Sequence, residues 1–118
     1  MRDKLQERDL LEPIHFPVIA FFNSVPDSNF MRVLEQMSIG IGTGINKVDC
    51  SFPDDVEEDE EKFDGVRFSV NEEEVILNYE LFYYYLNLAC RNYLDVFPNE
   101  RNELEQYLTT IRERYNLY

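Results

Sequence analysis

The side chains most able to do chemistry are a single histidine, His15, and two cysteines, Cys50 and Cys90. A nucleophile activated by an imidazole base would have to use His15, because the chain has no other histidine. No spacing in the sequence links His15 to Cys50, and His15 itself lies between two prolines, at positions 13 and 17. We therefore expect His15 to lie on the surface or at the start of a strand without a catalytic task, and both cysteines to be reduced and mostly buried.

Three alternating glycines, Gly40, Gly42 and Gly44, suggest a phosphate-binding loop. A dinucleotide-binding loop needs a further glycine at position 45, which is Ile45, and no Gly-Lys-Ser/Thr motif follows. The glycines also follow a predicted helix, whereas a phosphate loop follows a strand and precedes a helix. The sequence therefore predicts a flexible connection here and no nucleotide site.

An acidic run extends from Asp54 to Asp64 and is followed by Gly65. An EF-hand loop with Gly65 as its sixth residue would place Lys62 at a ligand position and Asn71 where the bidentate Glu belongs. Paired carboxylates can also serve acid–base catalysis, but 24 acidic residues make any such pair nonspecific. We therefore expect no metal, no cofactor and no enzymatic activity.

The negative charge of the chain is concentrated in one region. The 118 residues have a formal charge of −13, and residues 54–74, with eleven acidic and two basic residues, account for nine of those charges. Without clustered lysine or arginine, this balance argues against binding to nucleic acid or to an anionic membrane. It favours a basic protein partner, such as a nuclease, whose phosphate-binding groups the carboxylates would occupy. The alternative is a solvated loop without a partner.

Tyrosines from a following helix complete the predicted binding surface. Three consecutive tyrosines at 83–85 point in directions spread over about 200°, so at least one is expected to be exposed. Tyrosine is enriched among the residues that anchor protein interfaces. The predicted partner-binding residues are Asp54, Asp55, Glu57, Glu58, Asp59, Glu60, Glu61, Asp64, Glu72, Glu73, Glu74, Tyr79, Tyr83 and Tyr84.

An apolar run and a helical pattern open the predicted fold. The run at 17–23 is short, rich in branched and aromatic residues and bounded by Pro17 and Asn23, which favours a buried strand. Ser24 and Asp27 then resemble a capping box and predict a helix that ends at the glycines. Its apolar stripe is formed by Phe30, Val33, Leu34, Met37 and Ile41.

Strands and then helices follow in the predicted order. The further predicted strands are 45–52, 66–70 and 75–79. Residues 71–74 are short enough to join the last two strands as an antiparallel hairpin. Asn78 and Asn99 are predicted to cap two final helices. We therefore expect an α+β fold in one domain over residues 1–118: a small, mainly antiparallel sheet with three main helices packed against it.

No run of about 18 apolar residues is present, so no segment is expected to span a bilayer. The first nine residues alternate in charge where a secretory peptide would have an apolar stretch. We therefore expect a cytoplasmic protein.

Four segments, PVIAFFNSVP (17–26), FDGVRF (63–68), EVI (74–76) and LACRNYL (88–94), resemble bacterial contact-dependent growth inhibition (CDI) immunity proteins, and the similarity extends over residues 15–100. The resemblance implies a cytoplasmic antidote that binds and blocks the toxic C-terminal domain of one delivered effector, typically a ribonuclease. It implies no catalytic residues. A monomer in a 1:1 complex with that domain is the expected state.

The alternative function is a small acidic adaptor or regulatory subunit that assembles through its C-terminal helices. A homodimer would pair Tyr115, Leu117 and Tyr118, or the apolar stripe at 104–111.

Overall fold

The computed structural model describes residues 4–45, 47–53 and 63–117, which form four α-helices and four β-strands. The helices are α1 (Phe16–Ser24), α2 (Phe30–Ser38), α3 (Tyr79–Val96) and α4 (Arg101–Arg114). The strands are β1 (Thr43–Ile45), β2 (Val48–Ser51), β3 (Val66–Val70) and β4 (Glu73–Leu77). Short 3₁₀ turns lie at Glu7–Asp9, Pro13–His15, Asp27–Asn29 and Pro98–Glu100.

The four strands form one antiparallel sheet in the order β1-β2-β3-β4. In the β3–β4 pair, Val66 lies opposite Leu77. Val66, Phe68 and Leu77 are buried on the face of the sheet that meets the helices. Residues alternate along a strand, so Arg67 and Ser69 point to the opposite face. This antiparallel sheet with helices on one face confirms the predicted α+β class and the predicted antiparallel pairing of β3 and β4. The predicted bounds of the second strand, 75–79, and of the loop, 71–74, are wrong. β4 is Glu73–Leu77 and Tyr79 begins α3, because two residues, 71–72, are enough to join an antiparallel pair.

The core lies between the sheet and the helices, and Phe68 is at its centre. The Phe68 ring centroid is 5.6 Å from that of Phe21 and 6.0 Å from that of Phe22, both in α1. It is 6.3 Å from the centroid of Phe82 in α3. Aromatic pairs at these separations stabilise a core by more than the area they bury. Phe68 therefore holds α1 and α3 against the same face of the sheet.

The prediction of a strand at 17–23 is wrong, because these residues form most of α1. Val18, Phe21 and Phe22 recur at helical spacing, and each is 0% exposed. Ile19 is buried as well, so the helix shows no wide polar face. A short apolar run without a polar face carries no periodicity that separates a buried helix from a buried strand.

The helix predicted to start after Ser24 begins later, since Ser24 ends α1 and a 3₁₀ turn at Asp27–Asn29 precedes α2. The predicted stripe is otherwise buried, at Phe30, Val33, Leu34 and Met37. Ile41, assigned to the same stripe, lies beyond α2 and is exposed.

The single strand predicted at 45–52 is instead a hairpin of β1 and β2, in which Ile45 pairs with Val48. Val48 and Cys50 alternate along β2, but Ile45 is three residues before Val48, and in one continuous strand these two side chains would point to opposite faces. They share a face only because the chain reverses between them, so the odd spacing was a signal of the reversal that the prediction did not use. Gly44 lies within β1 and not in a flexible connection, whereas Gly40 ends α2 with a φ of 77°, a conformation that favours glycine.

The two C-terminal helices were predicted correctly in position. Asn78 caps α3 as expected, since its side-chain oxygen accepts the Leu81 N–H at 2.8 Å. The cap predicted at Asn99 is wrong: α4 begins after Glu100, without a side-chain cap, because Pro98–Glu100 forms a 3₁₀ turn that leads into it. Among the described residues, no helix is long and apolar enough to cross a membrane.

The first described residues are tied to the end of α1. Lys4 is 3% exposed, and its Nζ donates to Val25 O at 2.9 Å and to Asp27 Oδ1 at 3.0 Å. The Asn23 side chain accepts from the Leu5 N–H and donates to the Leu5 carbonyl, each at 3.0 Å. These bonds satisfy a buried ammonium group and anchor the segment that leads into the Glu7–Asp9 turn.

Replacing the cap residue of α3 should destabilise the protein. Asn78→Ala is expected to lower the free energy of unfolding by about 1 kcal/mol, because the Leu81 N–H loses its acceptor. Urea unfolding followed by circular dichroism measures the change. The matched control is Asn99→Ala, which removes an exposed Asn that caps nothing and should change stability by less than about 0.5 kcal/mol. Equal losses in the two variants would contradict the assignment.

Alkaline pH should weaken the contact between α2 and α4. The Tyr107 hydroxyl donates to Glu35 Oε2 at 3.1 Å, and burial, followed by this bond to Glu35, raises the pKa of Tyr107 to about 12. Because an unfolded tyrosine has a pKa near about 10, the folded state retains a proton that the unfolded state loses. This contribution is complete below pH 10 and disappears as the pH rises to about 12. Unfolding titrations should show stability falling over this window, and less steeply in Tyr107→Phe.

Candidate functional site

The predicted acidic surface is only partly within the described residues. The carboxylates outside them are Asp54, Asp55, Glu57, Glu58, Asp59, Glu60 and Glu61. Asp64 and the three glutamates at 72–74 are described, and all four are exposed. Within the described ranges, none of these four side chains forms an ion pair. Their negative charge is therefore presented to solvent without a bonded cation.

The two acidic segments lie at opposite ends of β3. At one end, Val66 follows Asp64 closely in the chain and pairs with Leu77. At the other end, Val70 pairs with Glu73. The four residue steps between Val66 and Val70 span about 13 Å of extended strand. The structure therefore separates the 72–74 segment from the end of the acidic run.

Tyr79 lies at the end of the sheet from which the acidic run departs. Its ring stacks on Tyr115 at 4.2 Å, and Tyr115 stacks in turn on Phe52 at 6.1 Å. Phe52 is 1% exposed and lies two residues before Asp54. The stack ties the end of α4 and the start of α3 to Phe52. Tyr79 is thus a half-buried packing residue.

Tyr83 is half-buried and lines a shallow groove of about 370 Å³ between α3 and the end of α4. Glu80, Arg112, Asn116 and Leu117 form the rest of its lining. The charges of Glu80 and Arg112 are opposite, so this groove has mixed polarity and no excess of negative charge.

Tyr84 is the exposed member of the three predicted tyrosines, at 41%. Its ring meets the Tyr85 ring edge to face at 5.2 Å. Tyr85 is fully buried, and its hydroxyl oxygen accepts the Leu11 N–H at 2.9 Å and lies 2.7 Å from His15 Nδ1. Burial raises the pKa of Tyr85, so the hydroxyl keeps its proton over the physiological range. Tyr84 therefore lies near the segment 11–15.

His15 has a structural position. The prediction that it lies on the surface or at the start of a strand is wrong, because it is 4% exposed and immediately precedes α1. Its Nδ1 contacts Tyr85, and its Nε2 is 3.4 Å from Glu12 Oε2. Both ring nitrogens therefore have partners other than a cysteine. The segment between the prolines folds inward at this residue because Tyr85 offers a buried polar partner.

Cys50 and Cys90 are buried, as predicted. Burial raises the pKa of the Cys90 thiol, which disfavours the reactive thiolate. Within residues 4–45, 47–53 and 63–117, no group of three or more His, Cys, Asp or Glu side chains is arranged to hold a metal ion.

An apolar surface that was not predicted from the sequence lies on the segment that Tyr85 contacts. Leu11, Ile14 and Phe16 are 56%, 66% and 42% exposed, although all three are large and apolar. We call these three residues the apolar ridge. They precede or begin α1, in the segment that also contains the two prolines.

Two shallow grooves flank the apolar ridge. One, of about 190 Å³, is lined by Ile14 and Phe16 together with Glu73 and Glu74 of β4. The other, of about 380 Å³, is lined by Phe16 together with Leu10 and Glu7. Pro13 borders both grooves. The structure therefore brings the predicted glutamates of β4 next to an apolar surface distant from them in sequence.

One signal in the sequence could have revealed this surface. Leucines, isoleucine, phenylalanine and prolines are concentrated at 10–17, but the segment is too short and too rich in proline for an amphipathic helix. When such apolar residues form a contiguous exposed patch, they often mark a contact surface.

Comparison with known proteins places this fold in a family. The family model CdiI_4, described as CDI immunity protein, matches residues 7–108. A comparison with curated proteins found no match to the sequence. The matched range runs from the first 3₁₀ turn into α4 and includes both the apolar ridge and the 72–74 segment. The chain therefore belongs to the CDI immunity protein family.

Proposed function

We propose that this CDI immunity protein neutralises a ribonuclease toxin domain by covering its cationic RNA-binding surface with carboxylates. The observation that carries the proposal is the family match over residues 7–108, which implies a cognate CDI toxin as the partner. The ribonuclease activity of the toxin is what the resemblance to CDI immunity proteins implies. The charge of this chain supports it, because a ribonuclease presents lysine and arginine to phosphates and this chain carries a net −13.

The distribution of charge supports an electrostatic mode of recognition. The exposed carboxylates at Asp64 and 72–74 have no ion-pair partner among the described residues, and the acidic run at 54–61 adds seven more. Such a field steers a cationic protein toward the surface and raises the association rate. Once bound, the carboxylates compete directly with RNA for the same basic groups.

Neutralisation by this mechanism needs no catalytic step. The protein acts by occupying the toxin surface, as a monomer in a 1:1 complex, in the cytoplasm where the toxin meets its RNA substrate. A tyrosine such as Tyr84, which is exposed, supplies the kind of side chain that anchors an interface after the charges have steered the encounter.

The adaptor alternative receives less support from the fold. Leu104 and Ile111, at the centre of the stripe proposed for a homodimer, are both 0% exposed and pack within the core. Tyr115 is stacked between Tyr79 and Phe52. The apolar residues that such a dimer would use are therefore largely committed to the fold, and Tyr118 lies outside the described residues.

Co-expression tests the function itself. Cells producing the C-terminal domain of the cognate CDI effector should stop growing and lose intact RNA, and this protein should restore both. RNA that stays intact while growth stops would contradict the ribonuclease assignment. Growth arrest that this protein does not relieve would contradict the cognate pairing.

Removal of charge from the acidic run should slow association. Replacing Glu57, Glu58 and Glu60 with Gln is expected to lower the association rate constant for the toxin domain about tenfold at low salt, because steering charge is lost. The salt dependence of the rate should flatten as well. Stopped-flow fluorescence or surface plasmon resonance at several ionic strengths measures both effects.

The matched control removes the same number of charges from another surface. Glu103, Glu105 and Glu113 are exposed on α4, and their replacement with Gln gives the same net charge as the first variant. The control should change the association rate much less. Equal effects would mean that only total charge matters, and no effect in either variant would mean that the acidic run is a solvated loop.

A further inference from the structure

We propose that the apolar ridge and its two acidic grooves form the anchor site for the toxin, and that they hold a lysine or arginine side chain by its aliphatic stem and its charged head together. The inference rests on the proposed function for the identity of the partner. It adds a second contact region, distinct from the acidic run, with a different kinetic role.

The exposure of the ridge is the first observation. Leu11, Ile14 and Phe16 place three large apolar side chains within six residues, each between 42% and 66% exposed. Exposed apolar residues that occur singly are ordinary, but a contiguous group bordered by charged residues is typical of a contact surface. Phe16 and Pro13 border both grooves, so Ile14, Phe16 and the two grooves form one continuous surface, and Leu11 precedes it in the chain.

The rigidity of the ridge is the second observation. The Tyr85 hydroxyl contacts both the Leu11 N–H and His15 Nδ1. Leu11 and His15 lie on either side of Ile14 in the chain, so both sides of Ile14 are held in place. Pro13 and Pro17 restrict the backbone further. A surface that is already held in its binding conformation loses little conformational entropy when a partner docks. The ridge is therefore suited to tight binding.

The charge of the groove walls identifies the occupant. Glu7 lines one groove and Glu73 and Glu74 line the other, and among the described residues no lysine or arginine lines either groove. By contrast, the groove beside Tyr83 contains Arg112. A lysine or arginine packs its methylene stem on apolar surface while its head remains near carboxylates. An arginine can in addition lie over the Phe16 ring.

The same charges argue against a second copy of this chain as the occupant. Each copy carries a net charge of −13, and two ridges in contact would bring acidic walls against acidic walls. Like charges at close range raise the energy of such a contact. A cationic protein meets the opposite situation, since its charge complements both walls.

The ridge and the acidic run should therefore act at different stages of binding. Long-range charge at 54–64 governs the encounter, and a rigid apolar anchor governs how long the complex lasts. Glu73 and Glu74 contribute to both stages, because they are exposed and also line the groove next to Ile14.

The test compares two variants of the ridge with one control variant in the connection that leads to the other edge of the sheet. Ile14→Ser and Phe16→Ser are the ridge variants, and Ile39→Ser is the control, because Ile39 is 55% exposed and lies in the connection from α2 to β1. β1 and β4 are opposite edges of the sheet, about 14 Å apart. The probe is the C-terminal domain of the CDI effector that this protein neutralises in the co-expression test.

Each ridge variant is expected to raise the dissociation rate constant at least tenfold and to leave the association rate constant within twofold. Ile39→Ser should leave both constants unchanged. Glu73→Lys keeps the exposed strand position and reverses one wall of the groove, so it should slow association and also raise the dissociation rate. Thermal unfolding of each variant shows whether Phe16→Ser is folded, and Ile14→Ser and Glu73→Lys test the proposal even if it is not.

Ridge variants that dissociate at the wild-type rate, while the wild type binds and neutralises the toxin, would overturn the ridge proposal alone. A wild-type chain that does not bind the toxin domain would overturn the proposed function together with this inference. Sedimentation velocity on the isolated chain provides a further check. A stable dimer that Ile14→Ser dissociates would assign the ridge to self-association and would also overturn the proposal.

Discussion

The contacts of one aromatic ring determine which surfaces of this protein remain free. Phe68, in the middle strand pair, packs against Phe21 and Phe22 of α1 and against Phe82 of α3. Both helices are therefore held to the same face of the sheet. Asp64, the 72–74 segment and the segment that leads into α1 are left at the periphery. Their carboxylates and the exposed apolar residues of the ridge lie there.

This placement explains how a chain with a net charge of −13 can still fold around an apolar core. The described carboxylates of the candidate surface lie at loop ends and on an edge strand, in contact with solvent. Charges on solvated surface repel each other only weakly because water and salt screen them. The one buried ammonium group, among the residues that the structure describes, is Lys4, and it is satisfied by Val25 and Asp27. The apolar core and the candidate surface thus occupy different parts of the molecule.

A small immunity protein has to bind quickly, since its partner damages the cell, and also has to remain bound. Dispersed negative charge contributes mainly to the first requirement, and a rigid apolar anchor mainly to the second. In the proposed mode of binding, both lie next to each other at β4, where Glu73 and Glu74 line one groove with Ile14 and Phe16. The contact of Tyr85 with Leu11 and His15 is central to this arrangement, because it fixes the segment that presents the ridge.

Prediction from sequence succeeded where the pattern is local. The cap of α3 at Asn78 and the antiparallel pairing of β3 with β4 follow from residue types and spacing over a few residues, and the structure confirms them. It failed at 17–23, where two structures share one pattern: the run is buried on most sides, so helix and strand give the same apolar sequence. It also failed at 45–52, where the odd spacing of Ile45 and Val48 belongs to a hairpin and not to one strand.

The sequence by itself determined the fold class, the location of the charge and the absence of a recognisable catalytic motif, because composition and short-range periodicity carry that information. Only the tertiary structure decided which residues meet across the chain. Glu73 and Phe16 are more than fifty residues apart in sequence, and their position beside one groove depends on α1 packing on the sheet next to β4. Exposure was decided in the same way: Ile14 and Val18 are both branched apolar residues, but only the packing of α1 on Phe68 places Val18 in the core and leaves Ile14 in solvent.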